Sequence, residues 1–143
     1  MKLFTAIVSL LLCVPALAQQ RVVLIAAGDS PIESVTALEA RKIFLGIVVY
    51  SGGRAIRGVR NLTDSSLDRV FLQSVMGLSA DRYERRLLSN VFKYGTTRPE
   101  EVTDPARLAE MLADNPYAVT YVRTEGDEIP SGTKVLRVLW QGF

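Results

Sequence analysis

The spacing of apolar and polar positions changes several times along the chain, and each spacing predicts an element. The run RVVLIAA, Arg21 to Ala27, is apolar without alternation, the pattern of a strand covered on both faces in a parallel or mixed sheet. Thr36 stands three residues before Glu39, a capping-box spacing, and Gly46 closes the run that follows, so a helix is expected between them. Its apolar face is Ala37, Ala40, Ile43 and Phe44. IVVYSGGRAIRGV reads as two short β segments around Gly52-Gly53. Leu67, Val70, Phe71, Ser74 and Val75 then share a helical face that ends at Gly77. Ser79 is placed to cap ADRYERRLLSNVF, in which Tyr83, Leu87 and Val91 face one way. Asp81, Arg82, Glu84, Arg85 and Arg86 crowd its other faces, where a solvated surface with local ion pairs is expected. KYGTTRPEEVTD is the longest polar connection, with Glu100 and Glu101 solvated in it. Asp104-Pro105 forms a cap and first-turn pair for a helix buried through Leu108, Met111 and Leu112, and Asn115-Pro116 stops it. YAVTYV and TKVLRVLW end the chain as two β-rich runs separated by a polar loop, RTEGDEIPSG. Helices alternating with strands predict an α/β layer domain.

The first segment stands apart from this pattern. Lys2, the apolar run LFTAIVSLLLCVPALA and the Ala16-Leu17-Ala18 site read as an export signal of bacterial type over residues 1–18, cleaved after Ala18. Pro15 interrupts the run short of the ~20 apolar residues of a spanning helix. Cys13 falls inside this signal, and Leu12 before it is not the small residue that a lipid-anchoring site needs. Residues 19–143 are then a single domain, expected in the periplasm, that holds together without disulfides; about 125 residues suffice for such a core. The net charge of +2, carried by arginines scattered among acids, gives no footprint for nucleic acid. The chain has no histidine. With Cys13 in the signal, residues 19–143 have no cysteine either, so the usual general base, the thiolate nucleophile and the common soft-metal ligands are missing from them together, and no nucleotide-cradling glycine motif occurs. The pattern points away from an enzyme and calls for no cofactor and no metal.

GVRNLTDSSLDRVF, Gly58 to Phe71, concentrates the polar residues that could bind something. Helix starts present unpaired N–H groups and a partial positive charge, so they hold anions when side chains help. Ser65 and Ser66 would supply hydroxyls there, and Arg60 a bidentate guanidinium. Asp29 and Ser30, in the turn after the first strand, form a second group: Ser30 as a donor, Asp29 as an acceptor for a ligand that still carries a proton. The plainer alternatives are equally physical. Asp64 or Ser65 can simply cap the helix, and Asp29-Ser30-Pro31 can simply be a turn. Asp64 would also repel a dianion at that helix end. Ser30, Arg60 and the Ser65 N–H converging in one concavity would favour binding; Asp64 paired to Arg60 would disfavour it. Asn61-Leu62-Thr63 fits a glycosylation sequon, a pattern short enough to arise by chance.

VVLIAAGDSPI, ARKIFLG, the glycine turn SGGR, an arginine shortly before hydroxyls at a helix start, and YAVTYV occur here in the order that resembles phosphate-type periplasmic substrate-binding proteins. The resemblance is closest to short exported proteins of phosphate-transporter substrate-binding type. It implies a type II periplasmic-binding-protein-like fold, a single compact lobe with a mixed sheet flanked by helices. It implies a small oxyanion, phosphate first, as ligand, and an inner-membrane transporter or sensor as partner. By position Arg60 matches the family's arginine, Ser66 its threonine and Ser65 its glycine. Asp64 falls where the family has serine, and Ser30 corresponds to the serine after the first strand. Val119-Thr120-Tyr121 replaces the family's Ile-Gly-Tyr. The chain has the length of one lobe, whereas full binders close two over the ligand. A degenerate lobe serving as a protein-interaction partner is the other reading.

Overall fold

The computed structural model describes residues 19–142, so the export signal read over residues 1–18, with Cys13, lies outside the described residues. The chain forms β1 (Gln20–Ala27), α1 (Ala37–Phe44), β2 (Tyr50–Ser51), β3 (Arg54–Ala55), β4 (Arg57–Asn61) and α2 (Ser65–Val70). A π-helical stretch, Phe71–Met76, continues α2, and α3 (Ala80–Tyr94), β5 (Glu100–Val102), α4 (Pro105–Asp114), β6 (Ala118–Glu125) and β7 (Thr133–Gly142) follow. The sheet order is β5-β4-β6-β1-β7. β4 runs parallel to both β5 and β6, whereas β1 runs antiparallel to both its neighbours, β6 and β7. The fold is a mixed α/β layer, as expected.

Local chemistry places most boundaries. Thr36 and Glu39 make the reciprocal capping box of α1. Ser79 and Asp104 cap α3 and α4 by accepting from Arg82 N and Ala106 N, the latter helix with proline in its first turn. Gly52 and Gly53 both hold positive φ (57° and 81°) between β2 and β3, a conformation that disfavours any residue with a Cβ. The end of α1 is latched by α3 and by Thr96 just beyond it. Tyr83 Oη donates to Phe44 O, Asn90 Nδ2 to Leu45 O (2.9 Å) and Thr96 Oγ1 to Gly46 O (2.6 Å), partnering carbonyls that a helix end leaves over.

β1 separates two apolar layers, because alternate residues of a strand point to opposite faces. Val22 and Leu24 join Phe44, Phe71, Tyr83, Leu87 and Tyr121 on the face covered by α1, α2 and α3. Val23 and Ile25 join Val59, Val102, Leu108 and Leu112 on the face covered by α4. Phe71 stacks on Tyr121 with ring centroids 3.8 Å apart and planes 7° apart, and Phe44 meets both rings edge-on at 5.2 and 5.3 Å. α1 lies so close to β4 that a Cβ on Gly58 would stand 2.7 Å from Ile43 Cγ2.

Three expectations need correction. Glu100 and Glu101 do not lie in a loop: they form edge strand β5, in register with Val59 and Arg60. The buried residues of the second helix are Leu67, Phe71, Leu72 and Met76, with Ser74 exposed. The π winding accounts for this, since its i→i+5 bonding takes more residues per turn and moves the apolar face on by about one position. The charged face of α3 does not form ion pairs within the helix; Glu84 reaches outside it, to Arg98.

Candidate functional site

The β4–α2 turn assembles from five elements. β4 ends in Arg60 and Asn61, both buried. Asn61 Nδ2 donates to Tyr121 O (2.8 Å) and its Oδ1 accepts from Thr63 N (3.1 Å), which ties the turn to β6. The asparagine of the sequon is thus a buried structural amide. Asp64 then caps α2, its Oδ1 accepting from Ser66 N (2.8 Å). Ser65 and Ser66 are exposed at the start of that helix.

Arg60 is enclosed rather than offered to solvent. Its guanidinium lies over the ring of Tyr83 at 4.7 Å and faces that of Phe71 at 5.7 Å. Nη2 pairs with Asp68, Nε donates to Tyr121 Oη at 3.5 Å, and Nη1 stands 4.0 Å from Glu101 Oε1. Burial alone would lower its pKa, but Tyr121, Tyr83 and Asp68 together raise it further, so it stays cationic. The phenols respond in turn. Burial pushes Tyr83 up to about 12 against the opposing pull of Arg60, and raises Tyr121 in the same way.

The charges at this end of the sheet compensate one another. Besides the Arg60–Asp68 pair, Arg98 pairs with Glu84 and stands 3.5 Å from Glu101. The Glu84 carboxyl is held below its ordinary range by its hydrogen bond from Arg98. Arg123 Nη1 is 3.7 Å from Asp64 Oδ2, and its Nη2 donates to Ser66 Oγ (2.9 Å). Each of these guanidiniums already faces a carboxylate of the same chain. An entering oxyanion would have to displace one, because a second negative charge beside a paired arginine gains little and meets repulsion.

The candidate residues do not converge. Arg60, Asp64, Ser65 and Ser66 share the C-terminal end of β4. Ser30 and Asp29 follow the C-terminal end of β1, and β1 is antiparallel to β6 while β6 is parallel to β4. They therefore lie at the opposite end of the sheet, beside Ala118 and Arg57. Ser30 is buried there as a loop latch: its Oγ donates to Pro116 O and accepts from Ile32 N (3.2 Å), and its carbonyl accepts from Lys134 Nζ (2.6 Å). Asp29 is exposed. Asp64 does not pair with Arg60. The carboxylate that does is Asp68, one helical turn later, which sequence reasoning passed over together with Tyr83, Tyr121, Glu101 and Arg123. The signal available was local: a strand-end arginine followed, across a short turn, by an acid inside the first turn of a helix.

No protein-family model and no curated protein matches the sequence. Solved structures do match the fold. A Clostridium perfringens protein, assigned as a phosphate ABC transporter substrate-binding protein and crystallised with bound phosphate, superposes with a TM-score of 0.61 at 15% identity, over 85% of this chain and 46% of its own. An ABC-type phosphate transport receptor from Vibrio cholerae gives 0.56 at 15% identity, over 85% and 47%. PstS from Borrelia burgdorferi gives 0.51 at 14%, over 74% and 41%. The chain has the fold of one lobe of such proteins. It spans less than half the length of each of these three structures. Among the described residues no helix is long and apolar enough to cross a membrane.

Proposed function

We propose that the chain is an exported, non-enzymatic binding lobe of the phosphate-binding type, in which the oxyanion position beside Arg60 is held by the chain's own Asp68. The Arg60–Asp68 pair carries this reading. A carboxylate from the first turn of α2 stands where an arginine and a helix start would otherwise face a ligand oxygen. Phosphate, or a similar oxyanion, then competes with a carboxylate that is always present at high local concentration, and binding is weak in the unmodified chain. Asp68→Asn removes the competing charge and keeps the side-chain shape.

The test is a thermal melt of wild type, Asp68→Asn and Arg60→Ala with and without millimolar phosphate or sulfate. Asp68→Asn is expected to melt higher with anion than without, by the increment of about 2.7 kcal/mol that a ligand at 100 times its Kd provides. Wild type should respond less and Arg60→Ala not at all. Absence of any anion response in Asp68→Asn, with the fold intact by circular dichroism, rules the site out.

The second reading, a lobe retained for protein interaction with a transporter, sensor or other envelope partner, is favoured by the charge compensation around Arg60, Arg98 and Arg123. It predicts that all three proteins are indifferent to anions and that an envelope protein copurifies with each of them.

A further inference from the structure

The outer face of α3 plays no part in the site or the core. Its buried residues are Tyr83 and Leu87. On the other side, Arg85, Leu88 and Phe92 follow one another at i, i+3 and i+7, and Arg82, Arg86, Ser89 and Lys93 form the adjoining row at helical spacing. All seven are exposed. Phe92 is 86% exposed and Leu88 40%, although a phenylalanine is among the residues most often buried. None of Arg82, Arg85, Arg86 and Lys93 enters an ion pair among the described residues. The acids of the same helix do not cancel them: Glu84 is committed to Arg98, and Asp81 sits in the first turn, where the helix end itself favours a negative charge.

We infer that α3 docks this chain onto an anionic lipid surface, with Phe92 and Leu88 inserted at the headgroup boundary and Arg82, Arg85, Arg86 and Lys93 against lipid phosphates. Charge complementarity selects the occupant. Four cations without a carboxylate partner, of which Lys93 Nζ lies 5.3 Å from the exposed Tyr94 ring, stand on long, flexible stems beside the protruding Phe92 and make the amphipathic pattern of an interfacial helix. A protein partner is the poorer fit. A specific interface needs on the order of 800 Å² per side with a packed apolar centre, and two apolar side chains on the convex face of one helix do not build one. A bilayer needs no matching shape. The limited apolar area makes the association peripheral and reversible.

The experiment is cosedimentation of the chain, in the form recovered after export, with vesicles of phosphatidylcholine alone or mixed with phosphatidylglycerol. The expected result is binding to the mixed vesicles that falls with salt, and none to phosphatidylcholine. Arg85→Ser with Arg86→Ser should weaken binding roughly 25-fold, about five-fold per cation, and Phe92→Ser should weaken it further. Phe92→Trp should show a blue-shifted emission on addition of the anionic vesicles only. These side chains are exposed, so the variants should melt with the wild type, and one that does not is replaced by Lys93→Ser. Equal binding by all variants, an unshifted Phe92→Trp emission, or capture by a soluble acidic protein with vesicles ignored would overturn the inference.

Discussion

Replacing Phe71 by alanine is expected to cost about 3–5 kcal/mol of stability, the range for deleting a fully buried aromatic ring. In a domain of this size that lowers the melting temperature by on the order of 10–20 °C. Three contacts leave with the ring: the stack on Tyr121, the edge contact with Phe44 and one of the two aromatic faces toward Arg60. The cavity would open beside a buried guanidinium, so the loss exceeds simple transfer of a phenyl group. Phe92→Ala is the internal control, since that ring is already in water and its removal should leave the melt unchanged. Calorimetric unfolding of the two variants side by side decides the matter. A Phe71→Ala loss below about 1 kcal/mol would mean that the π-helical stretch recloses over the gap and that the aromatic triad is not the centre of the fold.

Alkaline pH should destabilise the protein well before arginine titrates. Tyr83 ionises near the ordinary phenol value of 10.0 in the unfolded chain but near about 12 in the folded one, because burial disfavours the phenolate. The unfolded state therefore releases its proton first. The stability that this raised value contributes is complete below pH 10, declines as pH rises from 10 and is gone above about 12. Two pH units correspond to about 3 kcal/mol, and Tyr121, shifted in the same direction by burial, steepens the decline. Tyr83→Phe should flatten the curve of stability against pH between 10 and 12 while costing a constant amount below it, from the lost hydrogen bond to Phe44 O. Denaturant melts at stepped pH give the slope directly. An unchanged slope in Tyr83→Phe would assign the alkaline transition to other groups.

The elements were legible in the sequence wherever a local rule decides them. Thr36 with Glu39, Ser79, and Asp104 with Pro105 name helix starts through hydrogen bonds that span only a few residues. Gly52-Gly53 names a hairpin through backbone sterics. β5 was illegible because Glu100 and Glu101 have poor strand propensity and become a strand only by pairing with β4, a partner distant in sequence. The π winding was illegible for a related reason: it brings Leu72 and Met76 inward along with Phe71, which is a demand of tertiary packing. The candidate site was half legible. Arg60 and the Asp64 cap follow from the strand-to-helix junction, but that Arg60 turns inward, between Tyr83 and Phe71, depends on where α3 lands. Ser30 was grouped with Arg60 by its place in the turn after the first strand and by the family resemblance, and neither fixes the direction of β1 in the sheet. With β1 antiparallel to β6, the two are at opposite ends.

The place of β1 also bears on when the fold can form. Its two neighbours in the sheet are β6 and β7, so Gln20 has to find Glu125 on one side and Gly142 on the other. A chain emerging from a ribosome has its first strand long before either partner exists, and closing so long a loop is slow and entropically costly. Until the late strands arrive, the apolar run that separates both layers has nothing to pair with, and neither layer can be sealed. Its first strand is without either sheet partner through most of its synthesis. This topology makes folding a late event of the whole chain rather than one that builds up from its first strand.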